Sequence, residues 1–311
     1  MSQSMAPGQM TTLLTRVVKI QALVRGFLVR HRLEEIRHVM QNGTENGEFD
    51  DSIKESQLLS NERVQEVYRA KGAFPIPDLA DQALVKRLVK KGPFRLMSGA
   101  IYIGQWDLEL NKRAGKGKQV WHDGSLYEGQ WVGGKANGIG RLIHADGDVY
   151  EGQWRDDKAN GFGKYMHFDG AVDEGEWKDD KQHGHGVETW PDEARYEGQY
   201  MKGTKHGVGT FYWHDGASYI GEFRYNDISG KGKYIWSDGR NYEGDWAGNK
   251  MHGRGIFRWT DGRIYDGEFQ HDRKDGHGVL TWPDGRKYAG QWRNGKQDGT
   301  GYFTTAEGET S

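Results

Sequence analysis

The sequence predicts a mainly β protein: an elongated, twisted antiparallel meander of nine hairpin repeats, preceded by an N-terminal α-helical segment. The first observation is a block of the form aromatic-x-Gly-x-aromatic that recurs every 23 residues from Tyr127 to Tyr288. The second is a Gly-x-Gly pair after each block, and the third is an Asp-Gly step after most pairs. A period of this size is typical of arrays in which each small unit buries apolar surface against its neighbours. The blocks begin at Tyr102, Tyr127, Tyr150, Asp173, Tyr196, Tyr219, Tyr242, Tyr265 and Tyr288.

Each repeat is predicted to contain two short strands. Alternation along a strand puts Tyr127, Gly129 and Trp131 on one face. In the second strand Gly138 and Gly140 share a face with bulky residues. A glycine leaves a slot in which a neighbouring ring can lie flat, so we expect these glycines to serve packing. All 12 tryptophans lie at aromatic positions of these strands, which indicates that they form the core.

The two connections of a repeat differ. Asp-Gly steps such as Asp146-Gly147 join one repeat to the next, and they suit a two-residue hairpin turn in which both residues have positive φ. The connection within a repeat, residues 132–138 for example, is longer and polar. Alternating tight and loose turns favour a meander of about 18 strands, on the order of 85 Å long at the usual strand spacing.

The repeats divide the chain into four parts. We expect a helix over residues 1–41, a linker with short helices that cap the sheet over 42–98, the repeat sheet over 99–305, and a tail over 306–311. Residues 78–91 have the pattern of a capped amphipathic helix, which we expect to cover the exposed edge of the first repeat. The C-terminal edge of the sheet has no such cover, so we expect it to be closed by a partner or by self-association.

Composition argues against several function classes. The net charge of −2 gives no case for nucleic-acid binding, and the absence of cysteine removes disulfides and thiolate zinc sites. His183, His206 and His252 occupy equivalent repeat positions, about 10 Å apart between successive repeats, so we expect no metal site. We also expect no cofactor, because the Gly-x-Gly pair lacks the helix and lysine of a phosphate-binding loop.

The sequence also predicts where the protein works and what it does not do. No nucleophile with a neighbouring base stands out from the repeats, so we do not expect an enzyme. No signal peptide and no apolar run long enough to cross a membrane occurs, so we expect an intracellular protein.

Two departures from the repeat lie close together. Asp173 stands where a tyrosine is expected, and Glu193 stands where the turn glycine is expected. A residue other than glycine at positive φ costs on the order of 1 kcal/mol. The two positions indicate either drift in a tolerant array or a bend or docking point.

The repeats resemble the MORN (membrane occupation and recognition nexus) family, as in YEGQWRDDKANGFGKYMHFDG at residues 150–170. The resemblance covers about residues 99–305. It implies a non-catalytic scaffold for protein assembly, sometimes in contact with lipid, and frequent in ciliary and other cytoskeletal assemblies.

Residues 12–40 predict a basic amphipathic helix, with apolar residues at spacings of three and four. Such helices bind calmodulin-like proteins or anionic membrane surfaces. Residues 20–30, IQALVRGFLVR, resemble the calmodulin-binding IQ motif, IQxxxRGxxxR, at every defined position. The alternatives are a helix that packs on the sheet of its own chain and a helix that lies on a membrane.

The IQ resemblance implies a role for each residue of the motif. Ile20 would fill an apolar pocket of an EF-hand protein, and Gln21 would bond nearby backbone. Arg25 and Arg30 would pair with acidic surfaces, while Gly26 would allow close approach. The residues that would carry the contact are Ile20, Gln21, Val24, Arg25, Gly26, Phe27 and Arg30. Val64, Gln65 and Arg69 form half of a second such motif, which would be a second light-chain site.

Two functions follow from these observations. The first is a structural adaptor of a cytoskeletal assembly, in the ciliary or flagellar axoneme, that carries a calmodulin-like EF-hand subunit on its IQ helix. The second is a tether to phosphoinositides or another anionic membrane, regulated by calmodulin. A contiguous face of lysine and arginine on the repeats would favour the tether.

Overall fold

The computed structural model describes residues 47–50, 52–53 and 58–311. The helix predicted over residues 1–41 lies outside these residues. The described chain forms two units, and the boundary between them lies between Pro191 and Asp192.

The first unit is a ten-stranded antiparallel meander with two short helices. Each strand pairs with the next along the chain. Its elements are β1 Gly47–Phe49, α1 Glu62–Lys71, α2 Gln82–Val85, β2 Leu88–Leu96, β3 Ile101–Asp107, β4 Lys112–Val120, β5 Leu126–Val132, β6 Lys135–Ile143, β7 Val149–Arg155, β8 Lys158–Met166, β9 Val172–Lys178 and β10 Lys181–Thr189.

The second unit repeats the same meander. Again each strand pairs antiparallel with the next. Its strands are β11 Arg195–Met201, β12 Thr204–Tyr212, β13 Ser218–Arg224, β14 Asp227–Ile235, β15 Asn241–Ala247, β16 Lys250–Arg258, β17 Ile264–Gln270, β18 Arg273–Thr281, β19 Lys287–Arg293 and β20 Lys296–Thr304. The prediction of a mainly β antiparallel meander is confirmed, while the length of the whole array stays a prediction.

The tyrosines and glycines pack as the sequence predicts. The ring of Tyr127 covers Gly129 and Gly140, which face each other across β5 and β6, and a Cβ on either glycine would overlap the ring. Tyr127 is fully buried, and its hydroxyl donates to the Gln130 carbonyl over 3.1 Å. The indole of Trp154, in the next repeat, donates to the Gly140 carbonyl over 3.1 Å. We call the side of the sheet that carries these rings the aromatic face.

Rings on the aromatic face stand edge to face along the sheet. Tyr127 lies between Trp131 and Trp154, with ring centroids 5.1 and 5.2 Å away and interplanar angles of 85° and 86°. Tyr150 stands in the same way between Trp154 and Trp177. Edge-to-face pairs of this kind add about 0.5–1.5 kcal/mol each beyond their buried area. Within each unit, each repeat is therefore joined to the next by a ring contact as well as by strand pairing.

The turn within a repeat is tighter than the sequence predicts. β5 ends at Val132 and β6 begins at Lys135, so only Gly133 and Gly134 lie between them. Their φ values are 57° and 85°, the geometry of a two-residue hairpin with both central residues at positive φ. The expectation of a long polar connection was wrong because Lys135 and the residues after it belong to the strand.

The Asp-Gly turn is looser than the sequence predicts. The Gly147 N–H bonds to the His144 carbonyl over 2.9 Å, and the His144 N–H bonds to the Asp148 carbonyl over 2.8 Å. This is a three-residue loop in which Gly147, with φ of 95°, takes the left-handed position. Asp146 accepts the Asp148 N–H over 3.2 Å, which stabilises the turn without positive φ at the aspartate. The connection within a repeat is thus the tight hairpin turn, and the Asp-Gly connection between repeats is the longer loop, the reverse of the prediction.

The first glycine of each Gly-x-Gly pair has a role that the sequence analysis missed. Gly138 lies where the β5–β6 pairing shifts register, at φ of 72°. The Gln130 side chain lies against it and accepts the Ile139 N–H over 2.8 Å. Gly140 packs a ring, as predicted, whereas Gly138 forms a bulge.

The cover of the first repeat is a strand and not the predicted helix. Within residues 78–91 only α2 is helical, capped by Asp81, which accepts the Ala83 and Leu84 N–H groups. β2 then pairs with β3, and β1 pairs with β2. The prediction was wrong because edge pairing satisfies a row of backbone groups that a helix would leave open.

The C-terminal residues also differ from the prediction. After β20 the chain turns back, and Ser311 exchanges two backbone hydrogen bonds with Phe303, 2.9 and 3.0 Å long. The edge of β20 at this point is therefore covered by its own tail. Self-association through the remainder of that edge stays a prediction.

Candidate interaction surface

The residues predicted to hold an EF-hand protein are Ile20, Gln21, Val24, Arg25, Gly26, Phe27 and Arg30. All seven lie outside the described residues. The candidate surfaces below belong to the repeats and to the segment before them.

The half motif lies in α1, whose apolar side is occupied by the sheet. Val64 is fully buried against Leu126, Ile143 and Val149. The amide of Gln65 donates to the Leu59 carbonyl over 2.5 Å. A second light-chain site here would require α1 to leave the sheet, so the structure argues against that interpretation.

α1 lies across the face of the first unit opposite the rings, which we call the outer face. Its N-cap Asn61 donates to the carbonyls of Asp123 and Ala145, in two successive Asp-Gly turns, over 3.3 and 3.0 Å. The Arg63 guanidinium donates to the Asp146 carbonyl over 3.2 Å. The repeat turns thus provide a row of carbonyl acceptors that fix the start of a helix.

The other end of α1 meets a row of charges on the outer face. Arg141 and Glu128 are both buried and pair over 2.5 Å. Arg141 also donates to the carbonyl of Gly72, the C-cap of α1, over 2.5 Å. Lys71 pairs with Glu151 over 3.6 Å. Because one buried cation bonds both the strand acid and the helix end, it fixes where the helix stops.

Asp173 has an intramolecular partner. It is buried, and its Oδ2 lies 3.0 Å from Nε2 of His167, whose Nδ1 lies 3.6 Å from Asp148. Burial lowers the pKa of His167, but hydrogen bonds and charge from Asp148 and Asp173 outweigh it and raise the pKa to about 9. Where the other repeats have a tyrosine, Asp173 thus forms one side of an imidazolium between two carboxylates, with His167 and Asp148 from the two preceding repeats.

Glu193 keeps the geometry of the glycine that it replaces. Its φ is 69°, and the Ala194 N–H bonds to Asp192 over 3.1 Å, as in the other turns of this kind. The turn therefore has not changed type, and Glu193 carries the backbone strain that the sequence predicted.

The histidines at equivalent repeat positions do not form a cluster of metal ligands. Across the part of the chain that the structure describes, no group of three or more His, Asp or Glu side chains could hold a metal ion. The His206 ring packs on Tyr225 with centroids 5.2 Å apart, and the His252 ring packs on His271 at 5.5 Å. The neighbour of His252 is itself a histidine, but within the described residues this pair belongs to no group of three possible ligands.

Three of the lysines beside the within-repeat turns are paired with carboxylates or buried. Lys135 pairs with Asp156 over 3.8 Å, and Lys158 pairs with Asp179 over 3.3 Å. Lys205 is buried, with its ammonium 4.9 Å from the centre of the Tyr196 ring. Within the described residues, no helix has the length and apolar character needed to cross a bilayer.

Comparison with solved structures gives weak likenesses. The TCP10 domain of Danio rerio CPAP has a TM-score of 0.35 at 12% identity, over 72% of this chain and 97% of that one. The TCP10c domain of Drosophila melanogaster Sas-4 has a TM-score of 0.27 at 12% identity, over 57% and 93%. A virginiamycin B lyase from Staphylococcus aureus has a TM-score of 0.15 at 14% identity, over 76% and 72%. Scores this low carry no argument about function.

The comparison with curated proteins gives no match. The pattern of the MORN repeat matches nine stretches, at residues 102–126, 127–149, 150–172, 174–195, 196–218, 219–239, 242–262, 265–285 and 288–310. These stretches fill about two thirds of the chain, in the register that the tyrosines and glycines set. With its nine repeats in this register, the chain belongs to the MORN repeat family.

Proposed function

We propose that this protein is a non-catalytic adaptor of a cytoskeletal assembly, in the axoneme of a cilium or flagellum, which carries a calmodulin-like EF-hand subunit on residues 20–30. The nine repeats support the coarser part of this proposal, because MORN arrays are associated with membranes or the cytoskeleton. The observation that carries the EF-hand subunit is the complete IQxxxRGxxxR pattern from Ile20 to Arg30, while the axoneme rests on the family resemblance alone.

The packing of the repeats suits a scaffold. Tyrosine and tryptophan side chains are buried along both units, and within each unit ring contacts join neighbouring repeats. Such a sheet presents its outer face and its turns without needing a pocket. The docking of α1 supports this view, because it is a helix held on the outer face by side chains and turn carbonyls.

The membrane tether is the second candidate. Ion pairs such as Lys135–Asp156 and Lys158–Asp179 weaken the electrostatic part of any lipid contact at this edge. The tether would therefore depend on residues 12–40. Flotation with phosphoinositide vesicles at two salt concentrations separates the candidates, since lipid binding by a basic helix weakens with salt whereas the adaptor needs no lipid.

Capture of an EF-hand protein tests the adaptor. The full chain, immobilised and exposed to purified calmodulin with calcium or with chelator, should retain it in at least one buffer. The double variant Ile20→Asp, Gln21→Ala should lose capture by more than tenfold, because it removes the apolar anchor and the glutamine. Gln65→Ala, in the half motif, is the matched control and should bind like the parent. Equal capture by the parent, the double variant and the Gln65→Ala control would contradict the proposal.

A further inference from the structure

The outer face of the second unit carries an exposed apolar cluster. Its members are Val208 (58% exposed), Tyr212 (49%), Ile220 (56%) and Ile235 (39%). Ile220 faces Thr210 on β12 and Lys233 on β14, so the other three lie on its diagonals. We call these four residues the β12–β14 patch. Scattered exposed apolar residues need no explanation, but a contiguous group of this kind marks a contact surface.

Part of the patch occupies the same repeat positions as the strand residues that α1 covers in the first unit. A shift of four repeats, 92 residues, carries Val120 to Tyr212 and Ile143 to Ile235. In the first unit, Val120 and Ile143 are buried in the cluster that contains Val64 of α1. In the second unit, their counterparts are exposed.

The polar contacts of α1 have counterparts at the same shift. The carbonyls that bind Asn61, those of Asp123 and Ala145, correspond to those of Asp215 and Ser237. Arg141, which holds the C-terminal end of α1, corresponds to Lys233.

The second footprint also differs from the first. Leu126 and Val149, which lie against Val64, correspond to the polar residues Ser218 and Asn241, whereas at the centre an acid is replaced by an isoleucine. Glu128, the acid that pairs with Arg141 under α1, corresponds to Ile220. Lys233 retains a 3.5 Å pair with Glu243, with 42% of its side chain exposed. A helix on this footprint would meet an isoleucine at its centre and a lysine at its end.

From this repetition we propose that the β12–β14 patch binds an amphipathic α-helix of another protein, in the orientation that α1 takes on the first unit. The helix has an apolar stripe at positions i, i+3 and i+4 that covers Ile220. Its first turn lies at the carbonyls of Asp215 and Ser237, and its C-terminal carbonyls lie at Lys233. This interface rests on the scaffold function, but it is independent of the EF-hand subunit.

A peptide of residues 58–78 of this chain is the probe, because it contains α1 and both of its ends. Fluorescence anisotropy should give saturable binding to the full chain at peptide concentrations below about 1 mM. The same peptide with Val64→Asp should not bind. In the full chain, Ile220→Asp should weaken binding by at least tenfold. Phe162→Asp is the matched control, because Phe162 is the counterpart of Val208 two repeats earlier and is 67% exposed.

Photo-cross-linking from position 212 of the full chain identifies the occupant. A cross-link to the peptide in the parent chain, lost with Ile220→Asp, supports the proposal. Cross-links to residues 12–40 of the same chain, to a second copy, or to anionic vesicles would each overturn it, as would an absence of peptide binding. Calmodulin capture by the Ile220→Asp chain should stay at the parent level, so that this inference and the adaptor proposal can fail separately.

Discussion

At the scale of single residues, stability depends on the absence of a side chain at the glycines that the tyrosine rings cover. Tyr127 covers Gly140, and no positive φ is needed at Gly140, so its requirement for glycine is steric. Gly133 is the opposite case, with φ of 57° and no atom within 4 Å of an added Cβ. The two glycines therefore separate the steric from the conformational role.

We expect Gly140→Ala to lower the free energy of unfolding by about 3 kcal/mol, because the new methyl group enters a fully packed ring contact. Gly133→Ala should cost only about 1 kcal/mol, the strain of an alanine at positive φ. Urea denaturation followed by tryptophan fluorescence measures both. Equal costs for the two variants would contradict the ring-cover account.

The imidazolium between Asp148 and Asp173 makes one contribution to stability depend on pH. The pKa of His167 is about 9 in the folded protein and near 6.5 when unfolded. Because the folded pKa is the higher one, the stabilisation is fully present below about pH 6.5 and is lost as the pH rises to about 9. At most it is worth about 3 kcal/mol.

The difference in unfolding free energy between the parent and His167→Gln tests this dependence. We expect the parent's advantage to be largest at pH 6 and to shrink steadily towards pH 9.5. Lys274, whose pKa burial lowers to about 8, titrates in the same range but does so in both chains and cancels. A difference that stays constant over this range would show that His167 does not carry the charge.

Contacts between residues on one strand face could be predicted from the sequence, whereas contacts that depend on strand pairing could not. The ring cover of Gly129 and Gly140 could be predicted because a strand's period of two puts tyrosine and glycine on the same face. The bulge at Gly138 could not be predicted, because it depends on the Gln130 side chain, which accepts a backbone N–H from the neighbouring strand. The partner of Asp173 was missed for the same reason. His167 lies six residues away, and only the pairing of β8 with β9 brings the two together.

At the scale of elements, the turns and the segment before the repeats show the limits of local pattern. Asp-Gly is typical of a tight hairpin, yet here the carboxylate of Asp146 stabilises a three-residue loop. The charged pattern of residues 78–91 indicated a helix, but the open backbone of β3 takes β2 as a partner. In the turn a local side-chain hydrogen bond decides the loop, and before the repeats the pairing of two strands outweighs local propensity.

The attachment of α1 gives the prediction at this scale. Val64→Ala should lower the free energy of unfolding by about 1–2 kcal/mol and speed amide hydrogen exchange in α1 and at Gly72, because Val64 is the fully buried anchor of the helix. Glu66→Ala, on the exposed side of the same helix, should change neither quantity. Unchanged exchange in the Val64→Ala chain would mean that the other contacts of α1, such as those of Asn61 and Arg141, are enough to hold it in place.

At the scale of the whole molecule, each repeat within a unit contacts chiefly the repeats before and after it. β15 pairs with β14 and β16, and Tyr242 makes ring contacts with Trp246 of its own repeat and Phe269 of the next. Stability in such a chain is close to a sum of repeat and neighbour contributions. The period of 23 residues is then the unit that can be removed without breaking the pairing.

Deletion of one period tests this additivity. A chain without residues 241–263 keeps the alternation of tight and three-residue turns, so we expect it to fold with the same β circular dichroism per residue. Its denaturant m-value should fall roughly in proportion to the surface lost. A chain without residues 241–251 loses β15, its turn and the first two residues of β16. The remaining part of β16 would then run in the wrong direction for its glycines and rings. We expect that second chain to aggregate or to lose cooperative unfolding. If both deletions disrupt the protein equally, the repeats do not act as interchangeable units. The correspondence between the surface under α1 and the β12–β14 patch, four repeats later, then loses its basis.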